Sequence, residues 1–237
     1  MIPKKIHYCW FGGKELPLSA KKCINSWKKY FPDYEIIEWN ENNFDVSFNK
    51  YAKEAYDNKK YAFFTDVARL YIIYKYGGIY FDVDVEVINS YDEILSSKVF
   101  FGLEKIDNVN TGLGFGAEKE NAFIKELLSD YDNRNFIKED GSFDMTSCPI
   151  INSKKFKEKG FLLNNTKEEI EGIVVYPREY FNPLDSGTNK LIYKTINTKS
   201  IHWYLKSWVS KKIILRSKIT RPFHRLFGND CFKWLKK

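Results

Sequence analysis

Residues 62–87, AFFTDVARLYIIYKYGGIYFDVDVEV, decide the fold. Phe63, Val67, Leu70 and Tyr74 recur at helical spacing, and nothing before Gly77 interrupts the pattern. The Gly77-Gly78 pair predicts the helix stop, because glycine takes the left-handed conformation without a Cβ clash. Residues 79–87 alternate β-branched, aromatic and acidic side chains, which predicts one continuous strand. The helix is apolar nearly all round yet carries Asp66 and Arg69, three apart on one face, able to pair or to converge on a ligand. On an extended chain Asp82 and Asp84 point to the same side, with Cα atoms about 6–7 Å apart. Two such carboxylates repel unless a cation or a raised pKa relieves them. Hard cations such as Mg²⁺ and Mn²⁺ favour oxygen ligands of this kind together with substrate phosphates. A lone Asp-X-Asp more often lies on a solvated edge, so the pair needs its context.

That context is Asp66-X-X-Arg69, a hydrophobic turn, Tyr76-Gly77-Gly78, then Tyr80-X-Asp82-X-Asp84. The combination resembles the signature of glycosyltransferase family 32, the Asp-X-Asp sugar-transferase region shared by capsular polysaccharide and lipooligosaccharide transferases. The resemblance implies that Asp82 and Asp84 attend a Mn²⁺ or Mg²⁺ on the diphosphate of a nucleotide-sugar, and that Asp66 and Arg69 hold the sugar being transferred. It also implies a retaining reaction and a GT-A fold, a Rossmann-like nucleotide-binding sheet flanked by helices.

The order of elements upstream agrees with an α/β class. A strand-like opening, Ile2-Pro3-Lys4-Lys5-Ile6-His7-Tyr8-Cys9-Trp10-Phe11, ends in Gly12-Gly13. A helix is expected over residues 18–31, a second strand over 34–39 and another helix over 51–60, giving a mostly parallel sheet with helices on both faces. Ligands of open α/β sheets lie at the carboxyl ends of strands. By resemblance His7 and Trp10 border the nucleotide, although His7 also suits a buried histidine tied to backbone.

Farther along, residues 99–104 read as a strand. Residues 110–117, NTGLGFGA, hold glycine at a density that demands bending or close approach. The resemblance assigns Asn110 to the donor sugar. Asp144-Met145-Thr146-Ser147-Cys148-Pro149 stands where relatives carry Thr-Gly-Pro near the acceptor, with Cys148 replacing the glycine. The closing Ile201-His202-Trp203-Tyr204-Leu205-Lys206-Ser207-Trp208 resembles a family signature in which the histidine or a nearby oxygen completes the metal shell, with Ser207 and Trp208 in the donor site and the Trp over the diphosphate. On its own, a histidine such as His202 more often plays a structural role.

The chain's 237 residues suffice for one sizeable domain, placed at 1–208, with an appendage at 209–237. Cys9, Cys23, Cys148 and Cys231 lack metal spacing and are expected to be reduced thiols. The opening carries no apolar leader, so no signal peptide is expected, and no apolar run approaches the ~18–20 residues that span a bilayer. The net charge of +7 is concentrated at one end. From residue 209 onward nine Lys and Arg face one acid, Asp230, leaving −1 for the rest. Ten large apolar residues, among them Ile213, Phe223, Phe227 and Trp234, are threaded through those cations. Such a segment suits the surface of an anionic membrane; packing on the catalytic domain, or nucleic acid, are the alternatives.

The expectation is therefore a metal-dependent hexosyltransferase using a nucleotide-sugar, preferably a UDP-sugar. Its acceptor would be a saccharide or lipid-linked saccharide of surface polysaccharide synthesis, met at the cytoplasmic face of the cell membrane. A nucleotidyltransferase also needs acidic metal ligands, but the glycine-rich phosphate loop with Arg and Lys is missing from the N-terminal region. A non-enzymatic binder acting through the basic tail leaves Asp66, Arg69, Asp82 and Asp84 unexplained.

Overall fold

A computed structural model describes residues 1–185 and 188–205. The N-terminal strand β1 (Lys5–Cys9) leads through Gly12 and Gly13 to helix α1 (Leu18–Tyr30), strand β2 (Glu35–Trp39) and helix α2 (Lys50–Asp57). Helix α3 (Tyr61–Tyr76) follows and is buried nearly all round, through Phe63, Phe64, Val67, Ala68, Arg69, Leu70, Ile72 and Ile73. It stops as expected at Gly77, which adopts φ 64° and donates its N–H to the Ile73 carbonyl at 2.8 Å. A Cβ there would lie 2.7 Å from the Lys119 nitrogen and 2.8 Å from the Pro3 ring, so only glycine fits.

The strand expected over residues 79–87 is broken in two. Strand β3 (Gly78–Tyr80) ends before the acidic pair, and β4 (Val85–Val87) begins after it. Between them the chain turns, with the Val85 N–H donating to the Asp82 carbonyl at 3.0 Å. The alternating pattern is satisfied on both sides of the turn because the two strands bury their side chains in different sheets.

The chain continues through β5 (Val99–Lys105), β6 (Asn108–Val109), β7 (Phe115–Ala117), α4 (Ala122–Ser129), α5 (Cys148–Glu158), β8 (Glu168–Ile170), β9 (Ile173–Tyr176), α6 (Arg178–Phe181) and β10 (Ser200–His202). Asn121 caps α4, accepting from the Phe123 and Ile124 amides. Among the described residues the main sheet runs β2-β1-β3-β7-β5-β9-β8, with β6 paired to β5. Strands β2, β1, β3, β5 and β9 share one direction, and β6, β7 and β8 oppose it. The mostly parallel α/β sheet expected from the sequence is thus observed. A second sheet pairs β10 with β4, His202 standing opposite Val85.

Both faces of the main sheet are covered. One core holds Phe64, Leu70, Phe101, Phe115 and Phe156; the other holds Trp27, Phe31, Phe81, Tyr91, Phe100 and Phe181. The fully buried Trp27 donates its indole N–H to the Val85 carbonyl at 2.7 Å, pinning β4 to α1 just beyond the turn. Cys9, Cys23 and Cys148 are buried free thiols. No described helix is long and apolar enough to cross a membrane. Ser207, Trp208, Cys231 and the basic tail from 209 lie outside the described residues.

His7 corrects the expectation of a donor contact. The side chain has no exposed surface. Its Nδ1 accepts from the Trp39 indole at 3.1 Å, and an indole can only donate. Nε2 therefore carries the proton and donates to the Gly77 carbonyl at 2.9 Å. With both ring nitrogens occupied, His7 ties β1 to β2 and to the end of α3. Burial lowers its pKa from the ordinary 6.5 to about 4, outweighing the Gly77 bond. A base depressed on folding stabilises the fold above its unfolded pKa, and this contribution is lost as pH falls towards the folded value. Acidification from pH 7 to 4.5 should cost about 2–3 kcal/mol through this one group. In chemical denaturation His7→Asn should start less stable and show a visibly flatter pH dependence over that window.

Candidate active site

Helix α3 and the β3–β4 turn meet at Arg69. Its guanidinium is only 3% exposed, with one amine nitrogen on the Asp66 carboxylate and the other 3.4 Å from Asp82 Oδ1. The nitrogen that meets Asp66 also lies 2.7 Å from Cys148 Sγ. Burial opposes the charged guanidinium, but Cys148, Asp66 and Asp82 together outweigh it and hold the pKa well above the ordinary value. Burial pushes Asp66 up to about 6 against the pull of Arg69. The spacing of three along α3 therefore makes a pair, and the turn adds Asp82 to it.

Tyr80, the last residue of β3, donates its hydroxyl to Asp82 Oδ1 at 3.1 Å. Burial raises the Asp82 pKa, Asp84 adds to the effect, and Arg69 and His202 offset only part of it. Asp82 nevertheless keeps 29% of its side chain exposed. Opposite it, the backbone of Gly112 comes so close that a Cβ would sit 2.3 Å from Asp82 Oδ2 and 3.2 Å from an Arg69 nitrogen. The glycine density of residues 110–117 marks this approach in the sequence, though not its target. Asn110 holds the loop, accepting from the Gly112 N–H at 2.7 Å.

Asp84 is fixed from the far end of the chain. Its Oδ2 accepts from the Leu205 N–H at 2.8 Å, and its carbonyl accepts from the Trp203 N–H at 2.9 Å. His202 Nε2 stands 3.1 Å from Asp84 Oδ1 and 4.0 Å from Asp82 Oδ2. Burial works against the Asp84 carboxylate, but His202 and the Leu205 amide hold its pKa below the ordinary range. Burial likewise disfavours charge on His202, and Asp84 reverses that, raising the imidazole pKa above its ordinary value.

Asp82, Asp84 and His202 offer ligand atoms all within 4.8 Å of one another. The buried His202 Nδ1 has no hydrogen-bond partner among the described residues. Two carboxylates and an imidazole, with an excess of negative charge that Arg69 relieves on one side only, fit a hard divalent cation.

Of the residues singled out in the sequence, Asp66, Arg69, Asp82, Asp84, Asn110 and His202 come together. Trp10 lies at the carboxyl end of β1, half-buried, its indole donating to the Lys14 carbonyl. His7 is apart, in the core. Tyr80, Gly112, Cys148 and the Leu205 amide join the site without a role assigned from sequence; Cys148 was visible only as a departure from the family's glycine.

Residues 17–101 match the family described as glycosyltransferase sugar-binding region containing DXD motif. Inositol phosphoceramide mannosyltransferase 1 of Schizosaccharomyces pombe is 26% identical over 171 residues, 65% of this chain and 51% of the relative. Inositol phosphoceramide mannosyltransferase 3 of the same yeast is 35% identical over 102 residues, 40% of this chain and 27% of the relative. The chain thus spans about half the length of the first relative and about a quarter of the second. Among solved structures, the PaToxG glycosyltransferase is 18% identical with a TM-score of 0.49, covering 67% of this chain and 69% of that one. Asp82-Val83-Asp84 lies within the matched residues and has the DXD pattern that the family's description names.

Proposed function

We propose that the chain is a metal-dependent retaining glycosyltransferase. It would move a hexose from a nucleotide-sugar, preferably a UDP-sugar, to a saccharide or lipid-linked saccharide acceptor in surface polysaccharide synthesis. The observation that carries this reading is the continuity of the Asp82–Asp84–His202 cluster with the buried Asp66–Arg69 pair, placed on the matched DXD region. The mannosyltransferase relatives put mannose among the hexoses to test first. Retention follows the family resemblance.

A Mn²⁺ or Mg²⁺ held by Asp82, Asp84 and His202 would supply Lewis acidity to the departing diphosphate. Arg69, charged and buried, adds a fixed positive field beside that position without reorganising during the reaction. Asp66, ionised above about pH 6, accepts hydrogen bonds from the hydroxyls of the transferred sugar. Gly112 lies against Asp82 with no room for a side chain, and Asn110 holds that stretch of backbone in place beside the acidic turn. Trp10 would wall the nucleotide, and by family resemblance Ser207 and Trp208 belong to the donor-binding residues.

A panel of UDP- and GDP-hexoses scored for hydrolysis with Mn²⁺ tests the assignment directly. Asp84→Asn removes a charged ligand but keeps the shape. Turnover should fall on the order of a hundredfold or more, as expected for several kcal/mol of lost transition-state stabilisation. Excess EDTA should do the same to the unmodified chain. Full activity under either condition would rule out the metal reading.

Gly112→Ala separates site from scaffold. The added Cβ meets the movable end of Asp82 rather than backbone. Stability should drop by no more than about 1–3 kcal/mol. Donor turnover should fall by about 10²-fold, the scale of a 1 Å misplacement in an active site. Thermal melts beside hydrolysis rates decide it.

We also propose that residues 209–237 dock the enzyme on the cytoplasmic face of the cell membrane, where lipid-linked acceptors lie. The support is the +8 charge of that segment and its ten large apolar residues. At about 1 kcal/mol per basic residue near an anionic surface, half of those cations suffice for useful affinity, and salt should weaken it. Chain ended after Ser210 should still hydrolyse donor yet no longer sediment with phosphatidylserine vesicles. Misfolding of that truncation, or indifference of the full chain to vesicles at low salt, would overturn the proposal.

A further inference from the structure

Residues 190–197, KLIYKTIN, form an unbroken run of exposed side chains on the approach to β10. Leu191, Ile192, Tyr193 and Ile196 are its large apolar members; Ile192 is 55% exposed and Ile196 89%. Lys190 and Lys194 are interleaved with them, and the run holds no acid.

This exposure is built into the fold, because the backbone is pinned at both feet of the loop. The Asp185 N–H donates to the Lys190 carbonyl at 2.9 Å, and the Tyr193 N–H to the Pro183 carbonyl at 3.1 Å. The Arg178 guanidinium lies 3.9 Å from the centroid of the Tyr193 ring and is itself fixed by donating to the Asn182 and Leu184 carbonyls. At the far foot the buried Thr198 hydroxyl accepts from the Thr195 N–H at 2.9 Å. Asn197 donates to Glu179 at 2.9 Å, and Lys199 pairs with Glu93 at 3.6 Å. Lys190 and Lys194 take part in no ion pair among the described residues.

Isoleucines held in water on a pinned backbone gain nothing for the fold. Aliphatic side chains alternating with lysines suit the boundary between headgroups and acyl chains. There the lysine stems cover apolar surface, the ammonium groups meet anionic headgroups, and a tyrosine sits at the interface. Protein interfaces are instead depleted in lysine. The position of the loop agrees with a lipid partner. Arg178 stands two residues past the carboxyl end of β9, which runs parallel to β5, so the loop lies at the same end of the main sheet as Trp10 and Asp82. Leu205, the last described residue ahead of the basic segment, follows Asn197 by eight positions.

We propose that residues 190–197 are a membrane-inserting loop: Ile192 and Ile196 enter an anionic bilayer while Lys190 and Lys194 meet its headgroups. This deepens the membrane-docking reading above and rests on different residues. The basic segment attracts at a distance; the loop sets depth and orientation, turning the carboxyl end of the sheet towards the lipid surface.

The test places an environment-sensitive fluorophore on Ile196→Cys in the full chain carrying Cys231→Ser, where the remaining thiols are buried. Glu139→Cys, exposed beside α2, is the reference position. With phosphatidylserine-containing vesicles, the label at 196 should shift to the blue and be quenched by a nitroxide lipid, and the label at 139 should do neither. In unlabelled protein, Ile192→Asp with Ile196→Asp should lower partitioning into those vesicles at high salt by about tenfold or more, the scale of one buried isoleucine. Melting temperature and donor hydrolysis in solution should stay unchanged, since both side chains are exposed. A label at 196 that stays in water while the chain sediments overturns the proposal and leaves the loop to a protein partner. So does a doubly substituted chain that partitions like the unmodified one. If the chain ended after Ser210 still carries its label at 196 into vesicles, the tail reading falls and the loop stands. A full chain that ignores vesicles at low salt overturns both.

Discussion

The buried guanidinium of Arg69 is the constraint around which the rest is arranged. Burying a cation is costly, and removing one member of such a pair costs about 3–5 kcal/mol, whereas apolar residues of similar volume would do as well for stability. The group also leaves its Nε without a hydrogen-bond partner among the described residues. An apolar residue here alone would leave Asp66 and Asp82 without their cation. What Arg69 does that such a residue cannot is couple two elements by charge. It joins Asp66 on α3 to Asp82 at the exit of β3, and it sets a positive field at the edge of an otherwise acidic cleft. Helix α3 is buried on almost every side, so the guanidinium has little freedom to move away.

The break between β3 and β4 changes the geometry on which the acidic pair works. On a continuous strand both carboxylates would project from one face at a fixed separation. In the turn, Asp82 stays in line with Tyr80 and Arg69, while Asp84 swings towards β10 and pairs with His202. The two aspartates therefore belong to different electrostatic neighbourhoods. Asp82 sits in a site that pushes its proton affinity up, and Asp84 in one that pulls it down. A divalent cation between them would take the place of any proton on the imidazole beside Asp84 and supply the positive charge that Asp82 lacks.

Much of this was legible in the chain before any coordinates. The helix stop at Gly77 and the mostly parallel order of the early strands follow from spacing and from glycine's conformational freedom, and the convergence of Asp66, Arg69, Asp82 and Asp84 from the family resemblance. What escaped was whatever depends on direction rather than pattern. Alternation over residues 79–87 satisfies one strand or two equally well, because two buried strands in different sheets both alternate. His7 stands in a stretch that borders the nucleotide by resemblance, but burial and the Trp39 and Gly77 contacts are properties of the packed core. Glycine density announced a close approach at residues 110–117, yet only the tertiary structure says that Gly112 presses on Asp82. Cys148 stood out as a departure from the family's glycine, and only packing shows that its sulfur reaches Arg69.

The same reasoning explains why His202 could be read either way from its local sequence. Its role depends on a contact between segments more than 100 residues apart in the chain, Asp84 and Leu205 being separated by 121. The sheet that makes this contact has two strands of three residues each, too small to be stable alone. It is held by the surroundings: Trp27 on the Val85 carbonyl, Tyr91 on Ser200 in the core, and the Ile88 amide on the Lys199 carbonyl. Closing so long a loop adds little entropy beyond closing one half its length, since the cost grows only with the logarithm. The anchors on both faces of the main core can therefore meet it. The consequence is an ordering of dependence: the α3–β3 half positions Asp66, Arg69 and Asp82 through its own burial, whereas Asp84 and His202 acquire their geometry only once the late strand has docked on that half. Any disturbance of β10 or its anchors should loosen the imidazole side of the acidic cluster before it reaches the guanidinium side.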